Sequence, residues 1–132
     1  MDGGHGGADP AAVAIVRADD LTEWDVVKIP PDPRVGRLWG ESTVIVDGSQ
    51  VLNISRWGRP VALASLSNDY GRTWTPMIPS NLAMGASKPY AGVLSNGQHY
   101  LVGTTTADSG NSRHPLTIAV GKPGATVFSR IF

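Results

Sequence analysis

Residues 67–74 read Ser67-Asn68-Asp69-Tyr70-Gly71-Arg72-Thr73-Trp74, and this turn decides the fold. Its Ser and Asp side chains are short and polar, so they can hydrogen-bond the backbone of their own turn. Gly71 adopts a positive φ at no steric cost. We expect the large apolar side chain of Trp74 to fold back between the strands, where its indole N–H needs a hydrogen-bond partner. We interpret Ser67, Asp69, Gly71 and Trp74 as the structural clasp of a β-hairpin and not as catalytic residues.

The same pattern recurs along the chain at a spacing of about 50 residues. The segment from Arg17 to Trp24 lies 50 residues earlier, and it keeps an Asp at its third position and the Trp. Phe128 lies 54 residues after Trp74, behind another apolar run and a Pro-Gly turn. We therefore expect Trp24, Trp74 and Phe128 at equivalent positions of three units. Such units, built from short strands, are typical of β-propeller blades.

Short apolar or alternating runs predict β-strands throughout the chain. The runs are Val13–Arg17, Trp24–Ile29, Thr43–Val46, Val51–Ser55, Val61–Leu66, Tyr90–Leu94, His99–Thr105, Leu116–Val120 and Thr126–Phe132. Turn sequences such as Asp47-Gly48 and Asn96-Gly97 separate them. Residues Leu82–Ala86 are expected to form at most one helical turn. The sequence thus predicts an all-β fold, a β-propeller fragment of about two and a half four-stranded blades.

The length of the chain suggests how the blades are arranged. We expect a flexible Gly-rich segment over residues 1–12 and a partial propeller over residues 13–132, with blade limits near 13–38, 39–80 and 81–132. Six such units need about 300 residues, so the chain is expected to be part of a longer propeller. Two open blade faces would expose apolar surface, and we expect self-association through them.

Composition narrows the classes of function. The 11 basic and 11 acidic side chains balance, which gives no overall electrostatic attraction for nucleic acid or an anionic membrane. There is no Cys, and His5, His99 and His114 are too scattered for metal-ligand spacing. No apolar run reaches the roughly 20 residues of a membrane span, and the first ten residues do not resemble a signal peptide. We expect a soluble protein with no metal or cofactor and no nucleic-acid or membrane partner. The lack of Cys does not settle the compartment and leaves a secreted or periplasmic parent open, because secreted proteins without disulfides exist.

The motif Ser67-x-Asp69-x-Gly71-x-Thr73-Trp74 resembles the Asp-box, or BNR repeat, of sialidases and related six-bladed propellers. The preceding segment from Glu41 to Arg56, with its Asp47-Gly48 turn, resembles the sialidase stretch that runs from a catalytic Glu to an active-site Arg. The segment from Ser87 to Val120 resembles the next sialidase blade. In that blade an Arg shortly before a Leu-Thr-Ile strand helps to bind the substrate carboxylate, and Arg113 occupies this place.

This resemblance implies a retaining exo-α-sialidase type of glycoside hydrolase. The substrate would be a sialoside or a related sugar acid, whose carboxylate matches the guanidinium forks of Arg56 and Arg113. Sialidases use a Tyr nucleophile, and Glu41 would help to remove its proton. Tyr90 is a candidate for lining the site. The nucleophilic Tyr and the acid/base Asp of the family fall outside the matched region, so the chain alone is expected to be inactive.

Two other interpretations remain open from the sequence. The first is a non-catalytic BNR-repeat propeller that binds glycan or protein. The second is a purely structural domain, because a single Glu at a strand start or Arg at a strand end usually faces water. We interpret Trp24, Trp39 and Trp57 as packing residues and not as platforms for a sugar ring.

Overall fold

The computed structural model describes residues 11–17, 19–36, 38, 40–85, 87–105, 114–123 and 128–131. Within these ranges the regular structure consists of β-strands, and no helix occurs. The strands are β1 (Ala12–Arg17), β2 (Asp20–Lys28), β3 (Ser42–Asp47), β4 (Gln50–Ser55), β5 (Val61–Ser67), β6 (Ile78–Ala83), β7 (Tyr90–Val93), β8 (Gln98–Thr104), β9 (Leu116–Pro123) and β10 (Phe128–Ile131). The predicted all-β class is confirmed.

The strands form one hairpin and two four-stranded sheets. β1 pairs with β2, β3 to β6 make the second sheet in chain order, and β7 to β10 make the third sheet in chain order. Every pair within these sheets is antiparallel. Each complete sheet is therefore an up-and-down blade, and the hairpin is half of one. The chain is a partial β-propeller, as predicted.

One strand was not predicted. Residues Ile78–Ala83 form β6, the outer edge of the second sheet, so the helical turn expected from Leu82 onward is wrong where Leu82 and Ala83 lie in a strand. Pro79 within this segment argues against a central strand but is tolerated at an edge. β6 also runs past residue 80, where a blade limit was expected, and the predicted blade limits remain a proposal.

Two apolar clusters join the sheets face to face. The first joins the β1–β2 hairpin to the second sheet through Ala11, Ile29, Val35, Leu38, Leu63 and Met77. The second joins the second and third sheets through Ile45, Ile54, Ala62, Met84, Leu101 and Ala119. The inner strands β3 and β7 lie side by side, where the backbone N–H of Ala91 donates to Thr43 Oγ1 at 3.0 Å. This side-by-side arrangement of first strands is how blades surround a propeller axis.

Apolar side chains remain exposed in a groove between the hairpin and the second sheet, and on the far side of the third sheet. Beside the half blade, an apolar groove of about 400 Å³ separates β1 from β3 and β4, and Val44 and Val46 at this groove are exposed. Trp24 also lines the groove and is 54% exposed, so its predicted packing role is not fulfilled in this chain. On the far side of the third sheet, Leu116 and Ile118 are exposed.

The turn over residues 67–74 forms a hydrogen-bonded loop between β5 and β6. Ser67 Oγ accepts from the Gly71 N–H at 2.8 Å and donates to Asp69 Oδ1 at 2.8 Å. Asp69 accepts from the N–H and the hydroxyl of Thr73 at 2.8 and 2.6 Å, and these bonds lower the pKa of Asp69 to about 2. Trp74 Nε1 donates to the Gly71 carbonyl at 2.7 Å, and Gly71 has φ +85°. The loop is closed by its own side chains.

The earlier copy of this turn is a shortened form. Trp24 Nε1 donates to the carbonyl of Leu21, three residues back, as Trp74 does to Gly71. The carboxylate that accepts from Thr22 belongs to Asp20, whereas the sequence pattern pointed to Asp19. The turn is tighter because Arg17 pairs directly with Asp20, which places Trp24 within β2. Phe128 begins β10, after the third strand of its sheet.

Candidate functional site

The topology gives each complete sheet two distinct ends. The 67–74 turn lies at one end, next to the β3–β4 turn, because the Tyr70 N–H donates to the Ser49 carbonyl at 2.8 Å. The opposite end carries the starts of β3 and β7 and the β4–β5 connection. We call this opposite end the strand-start end. Glu41, Arg56 and Tyr90 all lie there.

Glu41 and Arg56 meet across the first hairpin of the second sheet. The two-residue turn at Gly48 and Ser49 sets the register of the hairpin, so that Ser42 pairs with Ser55. Glu41 precedes Ser42 and Arg56 follows Ser55, so these two residues lie opposite each other. The Arg56 N–H donates to the Glu41 carbonyl at 2.8 Å, and Arg56 Nη1 donates to Glu41 Oε2 at 2.5 Å. The Arg56 side chain is 13% exposed and that of Glu41 is 40% exposed. The pair is thus a half-buried ion pair with one carboxylate edge open to solvent.

Tyr90 begins β7 at the same end but lies on the outer face of the third sheet. Ala91, the next residue, packs toward the second sheet, so side-chain alternation puts Tyr90 on the opposite face. There its ring centroid is 6.3 Å from that of Tyr100, which itself covers Gly92. Tyr90 is 62% exposed. The structure brings Glu41 and Arg56 together and leaves Tyr90 on the outer face of the neighbouring sheet.

Two residues singled out by the sequence, Arg113 and Trp39, lie outside the described residues. In the described part of the chain, no group of three or more His, Asp or Glu side chains is placed to hold a metal ion. No helix in that part is long and apolar enough to cross a membrane.

A stacked pair on the β4–β5 connection was not predicted. The guanidinium carbon of Arg59 lies 5.5 Å from the ring centroid of Trp57. Trp57 packs against the first apolar cluster and donates its indole N–H to the Val35 carbonyl at 3.3 Å. The sequence gives one weak signal for this contact, the spacing of Trp57 and Arg59 in the turn Trp57-Gly58-Arg59-Pro60.

The described residues at the strand-start end carry an excess of positive charge. Among the described residues of both complete sheets, Glu41 is the carboxylate at this end, and Arg56, Arg59 and Lys88 are the cations. The balanced charge of the whole chain hides this local excess. An end of this kind attracts anionic groups.

Comparisons with known proteins agree with this architecture. A family model described as a BNR repeat-like domain matches residues 4–132. The leech intramolecular trans-sialidase, solved with 2,7-anhydro-Neu5Ac, superposes with a TM-score of 0.52 at 16% identity over 78% of this chain and 16% of that chain.

A second trans-sialidase has a similar likeness. The intramolecular trans-sialidase of Ruminococcus gnavus, solved with oseltamivir carboxylate, gives a TM-score of 0.51 at 15% identity over 86% of this chain and 25% of that chain. This chain therefore spans a quarter or less of either enzyme. No curated protein sequence matches it significantly. At these identities the structural likeness establishes the fold.

Proposed function

The chain belongs to the BNR repeat-like domain family, and from this premise we propose that it is part of a sialidase-like glycoside hydrolase. The observation that carries the proposal is the ion pair between Glu41 and Arg56 at the start of the inner strand β3. Inner strands surround the propeller axis, so a polar pair at their common end faces the opening where a ligand can enter. The fold supports the sialidase type, and the chemistry below is proposed.

Glu41 is proposed to assist a Tyr nucleophile supplied by another part of the propeller. A phenol has a pKa near 10 and needs a neighbouring carboxylate to take its proton. Arg56 donates to one oxygen of Glu41 and so fixes the orientation of that carboxylate, while part of the group stays exposed. A retaining reaction follows, since the Tyr forms a covalent glycosyl intermediate that water then hydrolyses.

The substrate is proposed to be a sialoside or a related sugar acid. Arg56 and Arg113 are the proposed carboxylate-binding arginines, because a guanidinium keeps its charge and binds a carboxylate with two parallel hydrogen bonds. Tyr90 starts the strand next to β3, but its ring lies on the outer face of the third sheet, so we propose it as a lining residue only for a ligand that extends past β7 onto that face.

Hydrolysis of a fluorogenic sialoside by the protein expressed from its own gene tests this function. Glu41→Gln keeps the shape of the side chain but removes its basicity, and we expect kcat to fall by about 10²–10⁴-fold. Arg17→Gln is the matched control, because Arg17 also forms an ion pair, with Asp25 at 2.7 Å, but lies in the turn region of the first hairpin. Unchanged turnover in Glu41→Gln would refute the assignment.

A non-catalytic BNR propeller that binds glycan is the second candidate. The burial of Arg56 favours this candidate. The Arg56 side chain is 13% exposed and already paired with Glu41, and such a pair can support the fold or a binding surface without taking part in a reaction. This candidate predicts glycan binding without turnover. Measuring affinity and hydrolysis on the same preparation separates the two functions.

A further inference from the structure

We propose that the open edge of β1 and the apolar groove beside it bind a β-hairpin whose strands carry alternating apolar residues. The partner is a separate polypeptide segment, which extends the half blade by two strands on its inner side. The inference rests on the fold alone, so it does not depend on the proposed hydrolase.

The edge of β1 that faces away from β2 is unpaired. Within the described residues β1 pairs with β2 alone, whereas β5, at the corresponding place in the second sheet, pairs with β4 on one edge and β6 on the other. The two places correspond because Trp24 Nε1 and Trp74 Nε1 each donate to the carbonyl three residues back in the turn that follows. The consecutive residues 13–16 all line the groove, although their side chains alternate between two faces, so the backbone edge itself borders the groove. Such an edge can add a strand through main-chain hydrogen bonds.

The opposite wall of the groove is an apolar face that is only partly covered. Ile45 and Ile54 of the β3–β4 hairpin are each 3% exposed, because the third sheet covers their face. On the other face of this hairpin, Val44 and Val46 are 38% and 52% exposed and line the groove. One face of the same two strands is therefore buried by a neighbouring blade, and the other lacks that cover.

The size and chemistry of the gap select a pair of apolar strands. β1 itself lies over β5, since Val13 packs against the first apolar cluster, which includes Leu63. Neighbouring strands lie about 4.8 Å apart, so two added strands extend the half blade by about 10 Å and reach over β4 and β3. The groove of about 400 Å³ is lined mainly by apolar side chains, and a charged segment would lose its hydration there without a partner.

Fluorescence titration of the 132-residue chain with a peptide of residues 42–55 tests this inference. The peptide comprises β3 and β4, the two inner strands of the second sheet, and it contains no Trp. We expect one-to-one binding with a blue shift of the protein emission, because the peptide covers Trp24, which lines the groove and is 54% exposed. The same peptide with Ile45→Asp and Ile54→Asp is the matched control and should not bind, since these side chains form the face that packs on a neighbouring sheet.

Two protein variants locate the binding site. Val46→Asp places a charge on the wall of the groove, and we expect it to bind the peptide about tenfold or more weakly. Ile118→Asp makes the same kind of change on the far side of the third sheet and should bind the peptide as wild type does.

Three results would overturn the inference. The first is a wild type that does not bind the peptide, and the second is equal affinity of wild type and Val46→Asp. The third is a wild-type dimer in sedimentation velocity that excludes the peptide and that Val46→Asp converts to a monomer, because a second copy of the chain would then fill the groove.

Discussion

Replacing Ser67 by Ala removes the centre of the hydrogen-bonded turn without changing its backbone. The Ser67 side chain is buried, with 1% exposed. Its hydroxyl accepts from the N–H groups of Gly71 and Asp69, at 2.8 and 3.3 Å, and donates to the Asp69 carboxylate. Because Gly71 is also buried, Ser67→Ala leaves its N–H without a partner in a place that water does not reach.

The size of the effect follows from that unsatisfied donor. A buried donor left without a partner costs about 1–3 kcal/mol, so we expect the free energy of unfolding to fall by about 2 kcal/mol. With an m-value of about 2 kcal/mol/M in urea, the unfolding midpoint moves down by about 1 M. Urea titration followed by tryptophan fluorescence measures this shift, since Trp74 itself donates to the Gly71 carbonyl of the same turn.

Ser49→Ala is the matched control. Ser49 is exposed in the neighbouring β3–β4 turn, and it contacts the 67–74 turn through its backbone carbonyl. We expect its unfolding midpoint to match that of wild type within experimental error. If Ser67→Ala were as stable as Ser49→Ala, the turn would not depend on its side-chain hydrogen bonds and the structural reasoning would fail.

Three further predictions concern the 67–74 turn, the contact of Gly92 with Tyr100, and the open face of the third sheet. The pKa of Asp69 is lowered to about 2, chiefly by the Thr73 hydroxyl, so its stabilising contribution is present above pH 3.8 and is lost as the pH falls toward 2. Asp69→Asn should therefore flatten the pH dependence of the urea midpoint between these two pH values. An unchanged slope would contradict this prediction. A Cβ at Gly92 would lie 2.5 Å from Tyr100 Oη, at the far end of a side chain that can turn aside, so Gly92→Ala should displace the Tyr100 ring and lower stability by about 1 kcal/mol. Adding Tyr100→Ala should remove most of that penalty in a double-mutant cycle, and simple additivity would argue against the contact. We expect concentration-dependent association in sedimentation velocity that weakens in Ile118→Asp, because Ile118 is exposed on the far side of the third sheet; a monomer at all concentrations would exclude association through this open face.

Much of the fold could be predicted because its signals are local. Turns such as Asp47-Gly48, with alternating apolar residues on either side, indicate hairpins in the sequence. Every run that was predicted to form a strand corresponds to a strand among the described residues. The sequence did not predict β6, because it is an edge strand that contains Pro79 and pairs with β5 in an irregular register. Its place depends on the neighbouring strand and not on its own pattern.

The site was predictable only in part, for a similar reason. The pairing of Glu41 with Arg56 follows from the hairpin register, which a two-residue turn fixes and which could have been counted from the sequence. The stack of Arg59 on Trp57 depends on the path of a five-residue connection and on the distant Val35 carbonyl. No local pattern encodes such a contact.

The order of strands in the two complete sheets bears on how the protein is made. Each strand pairs with its immediate neighbour in the sequence, so a sheet needs only short loops to close before it can form. The second sheet is complete once Ala83 has left the ribosome. Its inner strand β3 can then position β7, through the hydrogen bond from the Ala91 N–H to Thr43 Oγ1. Growth of the propeller during translation can therefore proceed one blade at a time, with each new blade settling on a finished one.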